Sequence, residues 1–154
     1  MVKILFVCHG NICRSPMAEF LMKDMVKKER IEERFYIASA ATSTEELGNG
    51  VYPPVRRLLS AQGIDCSGKT ARQLTRGDYE RFDLLIGMDR ANMRNMRRIL
   101  NPKDADGKLH MLLTFAGRDD EVADPWYTRD FDAAQRDISE GCRALLDYAR
   151  ENFL

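Results

Sequence analysis

The sequence predicts an α/β fold, a four-stranded parallel sheet with helices on both faces. Short apolar runs alternate with longer amphipathic stretches along the whole chain, which is the pattern of repeated βα units. The last amphipathic stretch repeats apolar residues every three or four positions, a stripe wide enough to cover a sheet. Prolines and a glycine stand where helices would start and stop. Right-handed crossovers then make a parallel sheet the simplest arrangement.

The elements follow in order. Ile4-Leu5-Phe6-Val7 is short, apolar and β-prone, the first strand. Ser15-Pro16 opens a helix that places Met17, Leu21, Met22, Met25 and Val26 on one face, and the charged run over 27–34 ends it. Residues 35–38 form a second strand. Val55, Leu58 and Leu59 mark a second helix, opened by Pro53-Pro54 and stopped by Gly63, with Ile64 placed for the apolar contact that follows such a cap. Residues 82–87 give a third strand, and Met93, Met96, Ile99 and Leu100 a helix ended by Asn101-Pro102. A weaker fourth strand spans 110–113, where His110 reads as structural. Phe131, Ala134, Ile138, Cys142, Leu145 and Ala149 line the final helix. No repeat, linker or low-complexity tract divides the chain, so 1–154 is expected to be one domain.

Composition narrows the function. Lys plus Arg equals Asp plus Glu at 24 each, so no global field favours nucleic acid or a membrane surface, and any attraction for anions must be local. The N-terminal apolar run is too short for a signal peptide or a spanning helix, which points to a cytoplasmic protein. Four cysteines, two inside one loop, fit reduced thiols with chemistry better than a disulfide scaffold. Two histidines and scattered carboxylates suggest no metal centre, and no cofactor is expected.

The chemistry gathers in Val7-Cys8-His9-Gly10-Asn11-Ile12-Cys13-Arg14-Ser15-Pro16, a loop from strand end to helix start. The first N–H groups of a helix lack partners and add to the macrodipole, so an anion sits there naturally. The same field favours a cysteine in its thiolate form, which makes Cys8 a nucleophile. Arg14 offers a planar fork for two phosphate oxygens, and Gly10 lets the backbone turn tightly against the ligand. Spacing alone decides little: 4 cysteines and 17 arginines give roughly 0.4 such pairs by chance, and Cys66 with Arg72 repeats it. Only Cys8 has an apolar strand before it and Ser-Pro after it.

A thiolate that takes a phosphoryl group still needs an acid to protonate the departing oxygen. Asp124 is one candidate, held extended by Pro125 on a loop before the last helix, and Asp119 and Asp120 are its neighbours. Trp126 and Tyr127 are suited to walling a cleft for a phenyl phosphate. Cys13 has two readings: an inert packed thiol, or a partner that traps oxidised Cys8 as a disulfide.

With the loop stand Ser39-Ala40-Ala41-Thr42, Ala71-Arg72-Gln73-Leu74, Gly87-Met88-Asp89 and Asp124-Pro125-Trp126-Tyr127. On these motifs the chain resembles the low-molecular-weight protein tyrosine phosphatases from end to end. The resemblance implies a flavodoxin-like strand order, 2-1-3-4, and Asp124 as the acid. It also implies metal-free hydrolysis of phosphotyrosine in a protein or peptide through a phosphocysteine, with Cys8, Arg14 and Asp124 catalytic. The loop residues His9, Gly10, Asn11, Ile12, Cys13 and Ser15 would bind substrate, with Trp126 and Tyr127 across the cleft. Asn11 would buttress the loop through Ser15 and Ser39, and Ser15 would stabilise the leaving thiolate. The protein is expected to act as a monomer.

Three positions depart from the family pattern: His9 where an apolar residue is common, Lys69 where histidine is common, and Glu45 where some members carry tryptophan. Ile12 favours a flat phenyl ring, since related arginine phosphatases carry threonine there. A thiol-dependent arsenate reductase of the same fold is the nearest rival, but it needs two further relay cysteines, and Cys66 and Cys142 lie far apart in sequence. A non-catalytic phosphotyrosine-binding module is the other rival, and it leaves Cys8 and Asp124 without a task.

Overall fold

The apolar runs pair side by side as parallel strands. The computed structural model describes residues 1–100 and 102–154. In it β1 (Val2–Cys8), β2 (Phe35–Ala41), β3 (Leu84–Gly87) and β4 (Leu109–Met111) form one sheet of order β2-β1-β3-β4, all parallel, as the resemblance implied. β1 is central, paired with β2 from Val2↔Phe35 to Cys8↔Ala41 and with β3 from Ile4↔Leu84 to Val7↔Gly87.

Strand alternation divides the core in two. Val2, Ile4, Phe6 and Cys8 face α1 (Arg14–Lys28), α2 (Pro53–Ser60) and the closing helix Phe131–Phe153, whereas Leu5 and Val7 face the opposite layer with Met93 and Met96. That second layer holds α3 (Asp78–Arg81) and α4 (Arg90–Ile99). The connection after β1 runs to one side, to β2, and the connection after β3 to the other, to β4, so the crevice beyond the C-terminal ends of β1 and β3, beside Cys8, is the natural ligand position.

Several boundaries differ from expectation for local reasons. β1 and β2 run on to Cys8 and Ala41, where the loop over 70–74 adds an Ala41↔Gln73 bridge. β3 begins only at Leu84, because Asp83 donates its N–H to Lys3 O and accepts the Lys3 N–H on its side chain. The expected fourth strand is shorter and shifted. After Met111 the chain winds into a 3-10 turn, Leu112–Ala116, with Thr114 Oγ1 donating to Met111 O at 2.6 Å. The short helices α3 and α5 (Pro125–Thr128) and a 3-10 turn at Glu32–Arg34 were not legible, being too brief to show a period. The last helix, α6 (Phe131–Phe153), covers the sheet as expected. α2 ends as its sequence predicts: Gly63 is left-handed at φ 75° and Ile64 N–H returns to Leu59 O at 3.0 Å, with Ile64 buried. Asn101, half of the expected stop of α4, lies outside the described residues. His110 packs against Phe115 and Tyr148.

Gly141 is required by a close approach. A Cβ there would stand 2.5 Å from Leu112 Cγ, so α6 crosses the turn after β4 with no room for a side chain.

Candidate active site

The loop from Cys8 to Arg14 hangs between the end of β1 and the start of α1. Asn11 has φ 58°, the left-handed conformation that asparagine tolerates, and this turns the chain back on itself. Asn11 N–H then points at Cys8 Sγ, 3.3 Å away, and Ser15 Oγ lies 3.0 Å from the same sulfur. Asn11 Nδ2 donates to Ser15 Oγ at 2.7 Å and to Ser39 Oγ at 2.9 Å, the buttress that the resemblance implied. Its Oδ1 accepts from the Arg72 backbone N–H at 3.2 Å. No side chain caps the N-terminus of α1, so the amides at its mouth are left for an anion.

Arg14 is only 2% exposed. Its Nη1 donates to Asp89 Oδ2 at 2.7 Å and to the Val122 carbonyl at 2.9 Å, and Nη2 stands 3.4 Å from Asp124 Oδ2. Burial works against its charge, but Cys8, Asp89 and Asp124 together outweigh it and hold the guanidinium above its ordinary pKa. Asp89 is a residue whose role sequence reasoning missed. It caps α4 in a reciprocal box with Asn92, a local signal, while its partner Arg14 lies 75 positions away.

Asp124 caps α5 by accepting the Trp126 N–H at 3.0 Å, which fixes its other oxygen toward the loop. Trp126 packs against Tyr52 with ring centroids 4.8 Å apart and the planes tilted by 52°, and Tyr52 N–H donates to Ile12 O at 2.9 Å. The aromatic wall is thereby tied to the loop it faces. Cys8, His9, Gly10, Ile12, Cys13, Arg14, Asp124, Trp126 and Tyr127 line one cleft of about 520 Å³ including its mouth, and Tyr127 is 80% exposed at the rim. Glu45 and Glu46 complete the lining, and His9 Nε2 lies 3.0 Å from Glu45 Oε2 across the lip.

Asn11 and Ser15, expected among the substrate-binding residues, are fully buried with Ser39 and do not line the cleft. Asp119 and Asp120 are elsewhere, paired with Arg90 and Arg118 on the surface. The decoy pair separates: Cys66 is buried behind α2, and Arg72 binds Asp78. All four cysteines are free, and burial pushes the Cys13 thiol up to about 12, with the charges of Cys8 and Asp124 adding to it. Cys66 and Cys142 lie outside the cleft, Cys142 facing Ala18 O at 3.8 Å, so the thiol relay of an arsenate reductase has no place there. Among the described residues no group of three or more His, Cys, Asp or Glu side chains could hold a metal ion, and no helix is long and apolar enough to cross a membrane.

Known proteins are similar to this chain in sequence and fold. The low molecular weight protein-tyrosine-phosphatase YfkJ of Bacillus subtilis is 35% identical over 148 residues, covering 95% of this chain and 94% of its own. Its crystal structure superposes with a TM-score of 0.94 over 100% of this chain and 98% of that one, at 33% identity. The Gallus gallus low molecular weight phosphotyrosine protein phosphatase is 37% identical over 151 residues, 94% of this chain and 93% of its own. The structure of a drosophila arginine phosphatase matches with a TM-score of 0.88 and 28% identity, over 98% of this chain and 99% of that one. A family model for low molecular weight phosphotyrosine protein phosphatase matches residues 3–153, and with relatives this similar over nearly their whole length, the chain belongs to that family.

Proposed function

We propose that this chain, acting as one domain over 1–154, hydrolyses phosphotyrosine in proteins with Cys8 as nucleophile, Arg14 as anion clamp and Asp124 as acid and base. The observation that carries the reading is the meeting of these three groups in one cleft, on a helix N-terminus that no side chain caps. Cys8 sulfur attacks phosphorus in line while Arg14 and the amides of the loop hold the equatorial oxygens. The bond from phosphorus to the tyrosine oxygen breaks, and the Asp124 carboxyl gives that oxygen its proton. A phosphocysteine results. Asp124, now ionised, takes a proton from water as the water attacks phosphorus, and Cys8 leaves as a thiolate that Ser15 stabilises.

Trp126 and Tyr127 flank the substrate ring, and Ile12 presents a branched apolar side chain that suits a phenyl group better than a guanidinium. Four free thiols support a place in the cytoplasm, and balanced charge supports partners other than nucleic acid or membrane; the chain is proposed to act as a monomer. The test is phosphate release from phosphotyrosine and phosphoarginine peptides in the presence of a chelator, comparing the parent with Cys8→Ser and Asp124→Ala. Phosphotyrosine turnover abolished by the first change and sharply reduced by the second supports the assignment. Activity retained in Cys8→Ser overturns the nucleophile, and turnover of phosphoarginine alone overturns the argument from Ile12.

A further inference from the structure

Cations and carboxylates balance over the whole chain, but α4 carries one sign only. From Arg90 to Ile99 it holds Arg90, Arg94, Arg97 and Arg98 and no carboxylate. At about 100° per residue the four fall within an arc of about 100°, on the side of the helix away from Met93 and Met96, which are buried against the sheet. Arg90 is already paired with Asp119 and Glu121. Arg94, Arg97 and Arg98 are exposed, and among the described residues their side chains make no ion pair. The helix dipole favours cations in the last turn and so accounts for Arg97 and Arg98, but not for Arg94 in the middle of the helix.

The place of this stripe beside the cleft gives it a use. β2 and β3 flank β1 on opposite sides. The chain beyond β2 brings Glu45 and Glu46 to the cleft, whereas the chain beyond β3 starts α4 at Asp89, whose side chain holds Arg14. A protein segment that leaves the cleft past Glu45 and Glu46 meets carboxylates. One that leaves toward α4 meets Arg94, Arg97 and Arg98, about 8–14 Å along the helix from Asp89. Like charge closes the first path to an acidic segment, and opposite charge opens the second. Arg94 and Arg98 are about 6 Å apart along the axis, close to the repeat of every second residue in an extended chain, so a run of about four acidic residues covers the stripe. We propose that the exposed arginines of α4 are a docking surface for an acidic segment of the phosphotyrosine protein, beside the cleft and outside it. The proposal rests on the phosphatase reading and adds the kind of substrate, a protein with a run of Asp or Glu near its phosphotyrosine. The arginines touch no reacting atom. They act on KM, by raising the effective concentration of phosphotyrosine at the cleft.

Three phosphotyrosine peptides test this. One carries a run of about four glutamates before the phosphotyrosine, joined by about six Gly and Ser residues that reach up to about 20 Å; the second carries the run after it; the third has glutamines instead. A small aryl phosphate reports on the cleft alone. The parent is compared with Arg94→Gln, Arg97→Gln and Arg98→Gln combined, and with a control of equal charge change outside α4, Arg34→Gln, Arg57→Gln and Arg136→Gln combined, all exposed positions. An exposed ion pair shifts an equilibrium by roughly 1.4- to 5-fold, so three together shift it by about 3- to 150-fold. At low salt, KM for at least one acidic peptide is therefore expected to lie about tenfold below that for the glutamine peptide, at equal kcat. The preference is expected to vanish in the α4 variant, to survive in the control and to fade at about 0.5 M salt, while turnover of the glutamine peptide and the aryl phosphate stays at the parent level. A parent indifferent to the glutamates, an α4 variant that keeps the preference, or a control that loses it overturns the proposal. Binding of the parent to anionic phospholipid vesicles through these arginines, with no preference among the peptides, would assign the stripe to a membrane surface instead. A parent that turns over neither the peptides nor the aryl phosphate would overturn the phosphatase reading itself, so the two failures are distinguishable.

Discussion

Replacing Asp89 by serine separates its two tasks. Serine caps a helix about as well as aspartate, so α4 keeps its start, but its side chain is too short to reach Arg14 Nη1, now 2.7 Å from Asp89 Oδ2. A hydrogen bond to a charged partner contributes about 1.5–3 kcal/mol, and burial of Arg14 places this one in that range. If that energy serves to aim the guanidinium at phosphate, kcat/KM on a phosphotyrosine peptide falls about 10- to 150-fold. The same loss lowers Tm by about 3–12 °C for a domain of this size. Steady-state phosphate release and a thermal melt measure both. Asp89→Ala removes the cap as well and is expected to lower stability by a further ~0.5–2 kcal/mol at little extra cost in rate. If Asp89→Ser keeps kcat/KM within about twofold of the parent, the Val122 carbonyl and the loop suffice to aim Arg14, and the reasoning is refuted.

Asp124→Asn retains the α5 cap but cannot donate the proton; kcat/KM on phosphotyrosine is expected to fall about 10²- to 10⁴-fold, with a much smaller loss of kcat/KM on an aryl phosphate whose leaving group needs no acid. Equal losses on both substrates would point to a structural effect. Gly141→Ala gains about 1 kcal/mol of helix propensity but forces Cβ against Leu112, an overpacking cost of about 1–3 kcal/mol, so Tm should fall; a rise would show that Leu112 yields freely. The buried thiols set an alkaline limit. An unfolded chain releases thiol protons from about pH 9, whereas folded Cys13 holds its proton to about 12, and burial pushes Cys142 up as well. Above pH 9 the native state therefore binds more protons than the unfolded one, and stability falls as pH rises. The urea midpoint should drop between about pH 8 and about pH 10, and drop less in Cys142→Ala; an identical slope in both would exclude a contribution from Cys142.

The sheet was legible because its strands are apolar runs cut by helices of clear period, and the phosphate loop because strand, glycine and Ser-Pro punctuate it. Cys8 and Arg14 lie within seven residues, where local chemistry is readable, whereas the Asn11 buttress reaches Ser39, 28 positions on, and came from the resemblance. Asp89 and the Val122 carbonyl escaped notice because their roles exist only across folded distances, 75 and 108 positions from Arg14. Residues 110–113 misled for another reason. Leu112 and Leu113 are apolar enough for a strand, but both are buried in a 3-10 turn that delivers Leu112 to Gly141. Apolarity reported their burial and not their backbone.

The span between thiol and acid also orders events during synthesis. A ribosome adding about 5–20 residues per second needs roughly 6–23 s to pass from Cys8 to Asp124. For the first 81 of those 116 residues the nascent chain carries its thiol without Asp89, and almost to the end without Val122 or Asp124, to set Arg14 opposite it. Translation itself thus keeps the chemistry dormant until the far end of the site has been made.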